Sequence, residues 1–546
     1  MRKLTRFAVS AVASALALAG NALAAPPSSY STKTHYDASA AGKELQFDVV
    51  VYGGTASGVS TAISASKEGA KVALLEPTDH IGGMVTGGLG MTDFGNKKCI
   101  GGFALGFYER LGKHYGKPIE WYPEPHVAEE TLLAMLSEAN VPVFYGERLK
   151  EHDGVTTTAQ HRITSIEMES GRIYKANVFA DCSYEGDLMA RSGVKFTYGR
   201  EGMEEYGEEL AGVRERTPYH QFKVDVKAHD ADGKLLPEIQ EGAKGQTGQA
   251  DRKVQAYNFR VCMTQVADNK VPFPKPAGYD PARYQLLAGL IGATIDQTGT
   301  TPTVATLMHP GMIQAKKTDT NNNGAFSTDY IGGNWRYPVA TYAEREEIWK
   351  DHYDYVAGFF YFLANDPQVP QELRDEMNTW GLAKDEFQDT DHWPRQLYVR
   401  EARRMIGEYV MTQADIQTSR TKPDSIGMGS YNSDSHNVQR FVNASGMAEN
   451  EGDMQVRVRP YEIPYRMILP KRQQAENLLV PVCFSASHVA YSTLRMEPQY
   501  MIIGQAAGIA AAMASKTGSA VQDVDTAALG KRLGELRAVL DMPEAQ

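Results

Sequence analysis

One stretch limits what this chain can become more than any other: "DVVVYGGTASGVSTAISA", residues 48–65. A β-branched apolar run that breaks on paired glycines and continues as a small-residue helix opens a βαβ nucleotide-binding unit. Such a turn lets backbone approach a pyrophosphate, and the helix N-terminus supplies free amides and partial positive charge. Gly53 and Gly58 stand at the first and third glycine positions of the fingerprint, with Gly54, Ala56 and Ser57 completing the loop. Thr55 takes the middle position, where its hydroxyl is expected to donate to a phosphate oxygen. The helix is expected to run to Gly69, with "KVALLE" as the next strand. Glu76 ends that strand 18 residues beyond Gly58, placed to accept hydrogen bonds from both ribose hydroxyls.

Three features favour FAD over NAD as the dinucleotide. The loop "HIGGMVTGGLGMTDFG" offers the amides of Gly82, Gly83 and Met84 to phosphate or flavin. In "DCSYEGDLMARSGV", Asp187 stands ahead of an expected helix, suited to capping it and to touching the ribityl-phosphate region. Near the end, the strand "ENLLVPVCF" leads to a helix that starts about Glu497-Pro498, whose positive end is expected to face the flavin pyrimidine edge. On that helix Gly504, Gly508 and Ala512 form a face for close packing, and Gly504 and Gln505 are counted with the cofactor residues. No second fingerprint is found, so no built-in NAD(P)H site is expected.

The predicted fold is α/β: a Rossmann-like FAD-binding domain built from both ends of the chain, with an inserted α+β substrate domain. The expected division is a signal peptide over 1–24, a linker over 25–45, and the first FAD part over 46–200. A substrate or cap region covers 201–470, helical over 340–415. The second FAD part covers 471–520, and a C-terminal helix and tail 521–546. Within the first part, helices are expected over 101–116 and 125–140 and short strands over 141–182.

Several blocks together are more specific than any one motif. "YGGTASGVSTAISASKEG", "ADCSYEGDL", "LYVREARRM", "GSYNSDSHNVQRF", "PYEIPYR" and "ENLLVPVCFSASHVAYSTLRMEPQYMIIGQAAG" resemble the exported FAD-dependent oxidoreductase family, whose members often carry the label xanthan lyase. The resemblance runs from about residue 47 to 515 and implies a glutathione-reductase-type FAD fold with a substrate domain between two cofactor halves. It implies no particular substrate, because one fold hosts many chemistries.

Candidate chemistry sits on polar side chains near these blocks. Flavin oxidation needs a base that takes a proton while hydride leaves. His436 in "SYNSDSHNV" and His488 in "SASHVAYS" are the candidate bases. Arg400, Arg403 and Arg404 are expected on a helix, "LYVREARRMIGEYV", with an Arg404–Glu408 surface pair; Arg400 or Arg403 is a candidate clamp for a carboxylate or hydroxyls. In "PYEIPYR", alternation puts Glu462 and Arg466 on one strand face and Tyr461 and Tyr465 on the other. A Glu462–Arg466 pair there either orients a substrate or is an ordinary surface pair. Asp319 opens a partial calcium-loop pattern, but Tyr330 replaces the closing carboxylate, so a turn at Asn323-Gly324 is expected and no metal.

The function expected is an FAD-dependent dehydrogenase or oxidase acting on a polar small molecule, with a sugar or hydroxy acid as candidates. The alternatives are a flavin reductase of an activated C=C bond and a polysaccharide lyase or carbohydrate-binding protein. Electrons would leave to a quinone, a cytochrome or oxygen. The formal charge of −11 and the absence of a polybasic segment argue against nucleic acid as partner. The start, "MRKLTRFAVSAVASALALAGNALAAPP", has basic residues, a short apolar run and a small-x-small site at Ala22-Leu23-Ala24. That is a secretory signal pattern, with no integral membrane segment expected once it is removed. The mature protein is expected to begin at Ala25 in the periplasm or beyond, which N-terminal sequencing of fractionated protein checks; an intact N-terminus on cytoplasmic protein rules it out.

Overall fold

The computed structural model describes residues 42–541; the expected signal peptide and most of the linker lie outside these. The central sheet forms where the sequence is most apolar. Strand β1 (Glu44–Tyr52) pairs in parallel with β2 (Val72–Glu76) and with β6 (Ile173–Asp181), and β2 pairs in parallel with β3 (Val143–Tyr145). Val49, Val50 and Val51 are all fully buried, as expected for a strand covered on both faces. Strands β4 (Val155–Thr157) and β5 (Ile163–Glu167) extend the sheet antiparallel beyond β6. Far along the chain, Leu478–Leu479 returns to pair in parallel with β6.

Fourteen helices stand among the described residues. In the first third are α1 (Ala56–Lys67), α2 (Met84–Gly87), α3 (Gly102–His114), α4 (Pro125–Glu138) and α5 (Asp187–Arg191). Then come α6 (Met203–Tyr206), α7 (Gln285–Thr298), α8 (Val304–Leu307), α9 (Tyr342–Asn365), α10 (Gln371–Thr379) and α11 (Gln413–Gln417). The last are α12 (His488–Leu494), α13 (Glu497–Thr517) and α14 (Thr526–Glu535). None of the helices among the described residues is long and apolar enough to cross a membrane.

One expectation for the middle of the chain needs correction. Ahead of the expected helical part stands the 14-residue helix α7, whose Leu286, Leu287, Leu290 and Ile291 supply a buried i, i+1, i+4, i+5 stripe. Within that part, "LYVREARRMIGEYV" is not a helix: it runs extended and contributes only Arg404–Met405 to a two-stranded pairing with Phe196–Thr197. Its arginines override helical propensity because each finds a buried acceptor, and Arg404 pairs with Glu401 and Glu201 rather than with Glu408. The expected turn at Asn323-Gly324 is present, with Gly324 at φ +78°.

The two ends of the chain meet where α13 lies on α1. Ser60 Oγ donates to the Met501 carbonyl at 2.7 Å and Thr61 Oγ1 to the Gly504 carbonyl at 3.1 Å. A Cβ on Gly504 would stand 2.5 Å from the Ser57 carbonyl oxygen, and one on Gly508 would overlap the Thr61 carbonyl outright. The small-residue face of α13 is therefore a helix–helix contact. Gly508→Ala is expected to destabilise the protein by about 1–3 kcal/mol, the usual cost of overpacking. Chemical denaturation measures this, and an unchanged midpoint would show that the helices can part freely.

Candidate active site

The nucleotide end of the site is made of backbone. Gly53 has φ +95°, and its missing Cβ leaves room for the Cys182-Ser183 backbone; a Cβ on Gly58 would collide with the Gly53 carbonyl. Gly82, at φ +94°, donates its amide to the Gly54 carbonyl at 2.6 Å and joins the second glycine loop to the first. The leading amides of α1, at Ala56 and Ser57, point out along the helix axis as at any helix start. Ser57 Oγ is buried without a hydrogen-bond partner. Strained glycines, leading amides and an orphan hydroxyl in one loop fit a pyrophosphate.

Thr55 is not the phosphate donor expected. Its hydroxyl donates to the Cys182 carbonyl at 2.8 Å and accepts from Gly58 N–H at 3.2 Å, capping α1. Glu76 is fully used on one side: Oε2 accepts from Gly54 N–H and Oε1 from Thr78 N–H, both at 2.7 Å. Burial raises its pKa to about 7 although those amides pull it down. Each oxygen keeps a lone pair for a ribose hydroxyl. The Met84 amide donates to Tyr184 Oη at 2.9 Å, and that hydroxyl donates to Glu497 Oε1 at 2.7 Å. The second glycine loop and the start of α13 are thereby tied together.

Asp187 also departs from expectation. It is the first residue of α5, after a cap at Gly186, and it contacts Arg345 at 2.7 Å, Arg403 at 2.7 Å and Arg191 at 3.3 Å. Burial alone would raise its carboxyl, but these guanidinium groups hold it far below the usual range. It is an ionic anchor rather than a ribityl contact. Gly504 serves the α1 contact, and Gln505 Oε1 accepts from Phe103 N–H at 2.9 Å, so both have packing roles. Tyr465 Oη donates to the Val521 carbonyl, and Arg466 pairs with Asp424 rather than Glu462. Neither reaches the groups described next.

Those groups form a second, side-chain-rich end. Arg400 is fully buried; Nη1 donates to the Ala256 carbonyl and Nη2 lies 3.0 Å from Asp329 Oδ1. Asp329 Oδ2 accepts from His436 Nδ1 at 2.7 Å. Burial would raise Asp329, yet Arg400 and His436 outweigh it and hold the carboxyl at about 2. Burial, reinforced by Arg400, lowers His436 to about 4, so the imidazole is neutral at pH 7. With Nδ1–H donated to the carboxylate, Nε2 carries the lone pair, and among the described residues it meets no hydrogen-bond partner. Tyr398 stands beside this pair with three guanidinium carbons over its ring, Arg400 at 4.7 Å and Arg260 and Arg495 at 5.9 Å. Arg495 donates to Tyr398 Oη at 3.1 Å and to the Asp434 carbonyl at 2.8 Å.

His488 belongs to a neighbouring ionic lattice. Its Nδ1 lies 2.8 Å from Glu401 Oε2, and its backbone amide donates to Glu201 at 2.9 Å. Gln255 joins the two histidines, donating to Glu401 Oε2 at 2.9 Å and accepting from His436 N–H at 3.2 Å. Burial first, then Arg404, lowers His488 to about 3. Sequence reasoning missed Asp329, Tyr398 and Arg495. The legible signal was that Tyr398 and Arg495 lie inside the blocks "LYVREARRM" and "ENLLVPVCFSASHVAYSTLRMEPQYMIIGQAAG". All four cysteines are buried free thiols. Glu124, His126 and Glu386 gather closely, but the Lys317 ammonium sits 2.7 Å from Glu124, Asp385 and Glu386 and serves as their counter-ion.

Glu497 generates a pH-dependent prediction. Burial raises its pKa to about 8 despite the Tyr184 hydrogen bond, and Oε2 is buried without a partner. The folded state therefore holds a proton that the unfolded state releases near pH 4.5, so this group costs stability progressively from there up to about pH 8. Glu497→Gln keeps the shape and the Tyr184 acceptor. It is expected to leave the melting temperature near wild type at pH 5 and to raise it at pH 8. An equal change at both pH values would show that the group does not titrate there.

A family model described as FAD dependent oxidoreductase matches residues 48–533. No curated protein matches the chain. Among solved structures, a geranylgeranyl bacteriochlorophyll reductase-like protein from Thermoplasma acidophilum is 10% identical, covering 91% of this chain and 85% of that one, with a TM-score of 0.34. The L-proline dehydrogenase from P. horikoshii is 13% identical over 35% of this chain and 63% of that one, with a TM-score of 0.23. A flavin-containing monooxygenase from Stenotrophomonas maltophilia is 18% identical over 30% of this chain, with a TM-score of 0.19. The chain spans 43% of that monooxygenase's length.

Proposed function

The chain belongs to the FAD-dependent oxidoreductase family, and from that premise we propose that it is a dehydrogenase or oxidase of a polar small molecule bearing an oxidisable C–OH group. FAD is the cofactor. The first glycine loop, the leading amides of α1 and Glu76 would hold its pyrophosphate and ribose, with Gly83 and the start of α13 towards the flavin. Bound FAD supplies a two-electron acceptor for hydride. The protein's own part is to take the hydroxyl proton as the C–H hydride departs, leaving a carbonyl product. His436 Nε2 is the base in this reading.

The observation that carries it is the Asp329–His436 pair, with Nδ1 bound at 2.7 Å and Nε2 without a protein partner. Asp329 fixes the ring and its tautomer and stabilises the imidazolium that forms, while Arg400 keeps Asp329 ionised. His488 is assigned a positioning role through Glu401 and Gln255. The two electrons then leave to an external acceptor, a quinone, a cytochrome or oxygen, and the N-terminal segment supports a site of action beyond the cytoplasm.

His436→Asn is expected to keep FAD occupancy and slow substrate-driven flavin bleaching about a hundredfold or more, the usual loss for a general base. His488→Asn should slow it far less. Because protonation below about pH 4 removes the Nε2 lone pair, the wild-type rate should fall on acidification through that value and show no dependence on this group between pH 6 and 8. Anaerobic stopped-flow absorbance measures all three. A collapse in His488→Asn with His436→Asn unaffected would transfer the base to His488.

A further inference from the structure

A guanidinium binds a carboxylate most firmly through its side-on edge, where Nε–H and Nη2–H point the same way and meet both oxygens. Arg260 shows that edge filled: its Nε and Nη2 donate to the two oxygens of Asp319 at 2.6 and 3.0 Å. In Arg400, 1% exposed, the same two atoms are buried with no hydrogen-bond partner, while Nη1 is taken by the Ala256 carbonyl. Nη2 lies 3.0 Å from Asp329 Oδ1, close enough for an ion pair but not aligned to donate. Among the described residues no other arginine has both atoms of this edge buried and unpartnered. A buried charged donor left unmet carries its full desolvation penalty, which a ligand acceptor would relieve.

Geometry ties this edge to the base. Asp329 gives Oδ1 to Arg400 and Oδ2 to His436 Nδ1 at 2.7 Å, so the guanidinium and the imidazole stand on the two oxygens of one carboxylate. Arg495, 2% exposed, adds a third open donor: its Nε is buried without a partner, while Nη1 and Nη2 donate to Tyr398 Oη and the Asp434 carbonyl. Both guanidinium carbons lie over the Tyr398 ring, Arg400 at 4.7 Å and Arg495 at 5.9 Å from its centre. The nearby carboxylates leave these donors unmet. Asp434 approaches Arg495 only to 3.9 Å, at Nη2, and Asp93 is hydrogen-bonded to Tyr431. Asp453 keeps its proton up to about pH 8, because burial and then Asp434 oppose its charge. Burial holds the Arg400 guanidinium below its ordinary range although Asp329 pulls it up, and Arg495 and Arg260 add to the lowering. A buried cation so incompletely compensated gains from one more anion.

We infer that the molecule oxidised at His436 is a small hydroxy acid, its carboxylate on the Nε–Nη2 edge of Arg400 with Arg495 Nε as a further donor, and its carbinol hydroxyl at His436 Nε2. The inference rests on the reading of His436 as base and names the substrate class of that same site. The carbinol C–H bond breaks with its electron pair leaving as hydride to the flavin, and the O–H proton passes to Nε2. The carboxylate is unchanged and the product is the corresponding oxo acid.

The test uses FAD-loaded full-length mature protein. Glycolate, lactate and malate are each compared with their amides, which keep the shape without the charge, and with glucose and sorbitol. Calorimetry measures binding and anaerobic flavin bleaching measures oxidation. A hydroxy acid should bind saturably and bleach the flavin, and its amide should bind about tenfold or more weakly, as for lost hydrogen bonds to a charged group. Arg400→Lys keeps a cation beside Asp329 but loses the two-pronged edge. It should weaken hydroxy-acid binding about tenfold or more, with FAD content unchanged. Arg495→Lys should weaken it in the same direction. An amide that binds as tightly as its acid, or a sugar that bleaches the flavin where no acid does, overturns the inference and leaves the oxidation reading standing. Undiminished acid binding in Arg400→Lys overturns it too, as does failure of every hydroxy acid to bind. Should Arg400→Lys not fold, the acid–amide comparison on the wild-type protein decides. A hydroxy acid that binds in an Arg400-dependent way without bleaching supports the ligand class and removes the oxidation reading.

Discussion

The buried Asp187 carboxylate ties separated parts of the chain together. It grows from α5, directly after the sheet, and its partners come from elsewhere: Arg345 from α9 and Arg403 from the extended segment before Arg404. Breaking a buried pair of this kind costs about 3–5 kcal/mol, because the partners are left charged and dry. The consequence for the site is geometric. Arg403 fixed on Asp187 sets where Arg400 lies three residues earlier, and Arg400 sets the charge state of Asp329. Through Asp329 it also sets the tautomer of His436. An anchor on the nucleotide unit thus lies three residues along the chain from the arginine that pairs with Asp329.

Much of the nucleotide end was legible in the sequence because backbone geometry governs it. Gly53, Gly58 and Gly82 announce themselves as glycines wherever a Cβ cannot fit, and the alternation of strand and helix around them follows from apolar period alone. The side-chain end was half legible. His436 and Arg400 stood out as polar residues in distinctive blocks, and the structure brings them together through Asp329. Thr55 and Asp187 were misread for one reason: each has the right chemistry for a cofactor contact, and each is claimed first by a protein partner. Competition between internal and external partners is a tertiary fact, and residue type carries no trace of it.

The misread helix at residues 397–410 follows from the same physics. Arg400, Arg403 and Arg404 have good intrinsic helix propensity and an apolar spacing that suits a surface helix. All three are instead buried. The extended backbone lets Arg400, Arg403 and Arg404 reach Asp329, Asp187 and Glu201 respectively. The buried ion pairs of the three guanidinium groups outweigh the few tenths of a kcal/mol per residue that propensity offers.

Two carboxylate–histidine pairs lie within reach of one another, and their surroundings differentiate them. Both imidazoles are neutral because burial penalises the charged ring, and both donate Nδ1–H to a carboxylate. Around His488 the carboxylates are shared: Glu401 also takes Arg404 and Gln255, and Glu201 takes Arg404 and the His488 amide. A proton arriving at His488 would have to be stabilised by a Glu401 already committed to a cation. Asp329 has its own cation in Arg400, yet His436 occupies its second oxygen alone, and the face beyond His436 carries Asp434 rather than another arginine. An imidazolium formed at His436 is favoured by Asp329 and Asp434 and opposed by Arg400. One formed at His488 gains little beyond what Arg404 has already taken. In the proposed reading, this difference in charge environment, rather than the histidines themselves, separates the base from the positioning residue.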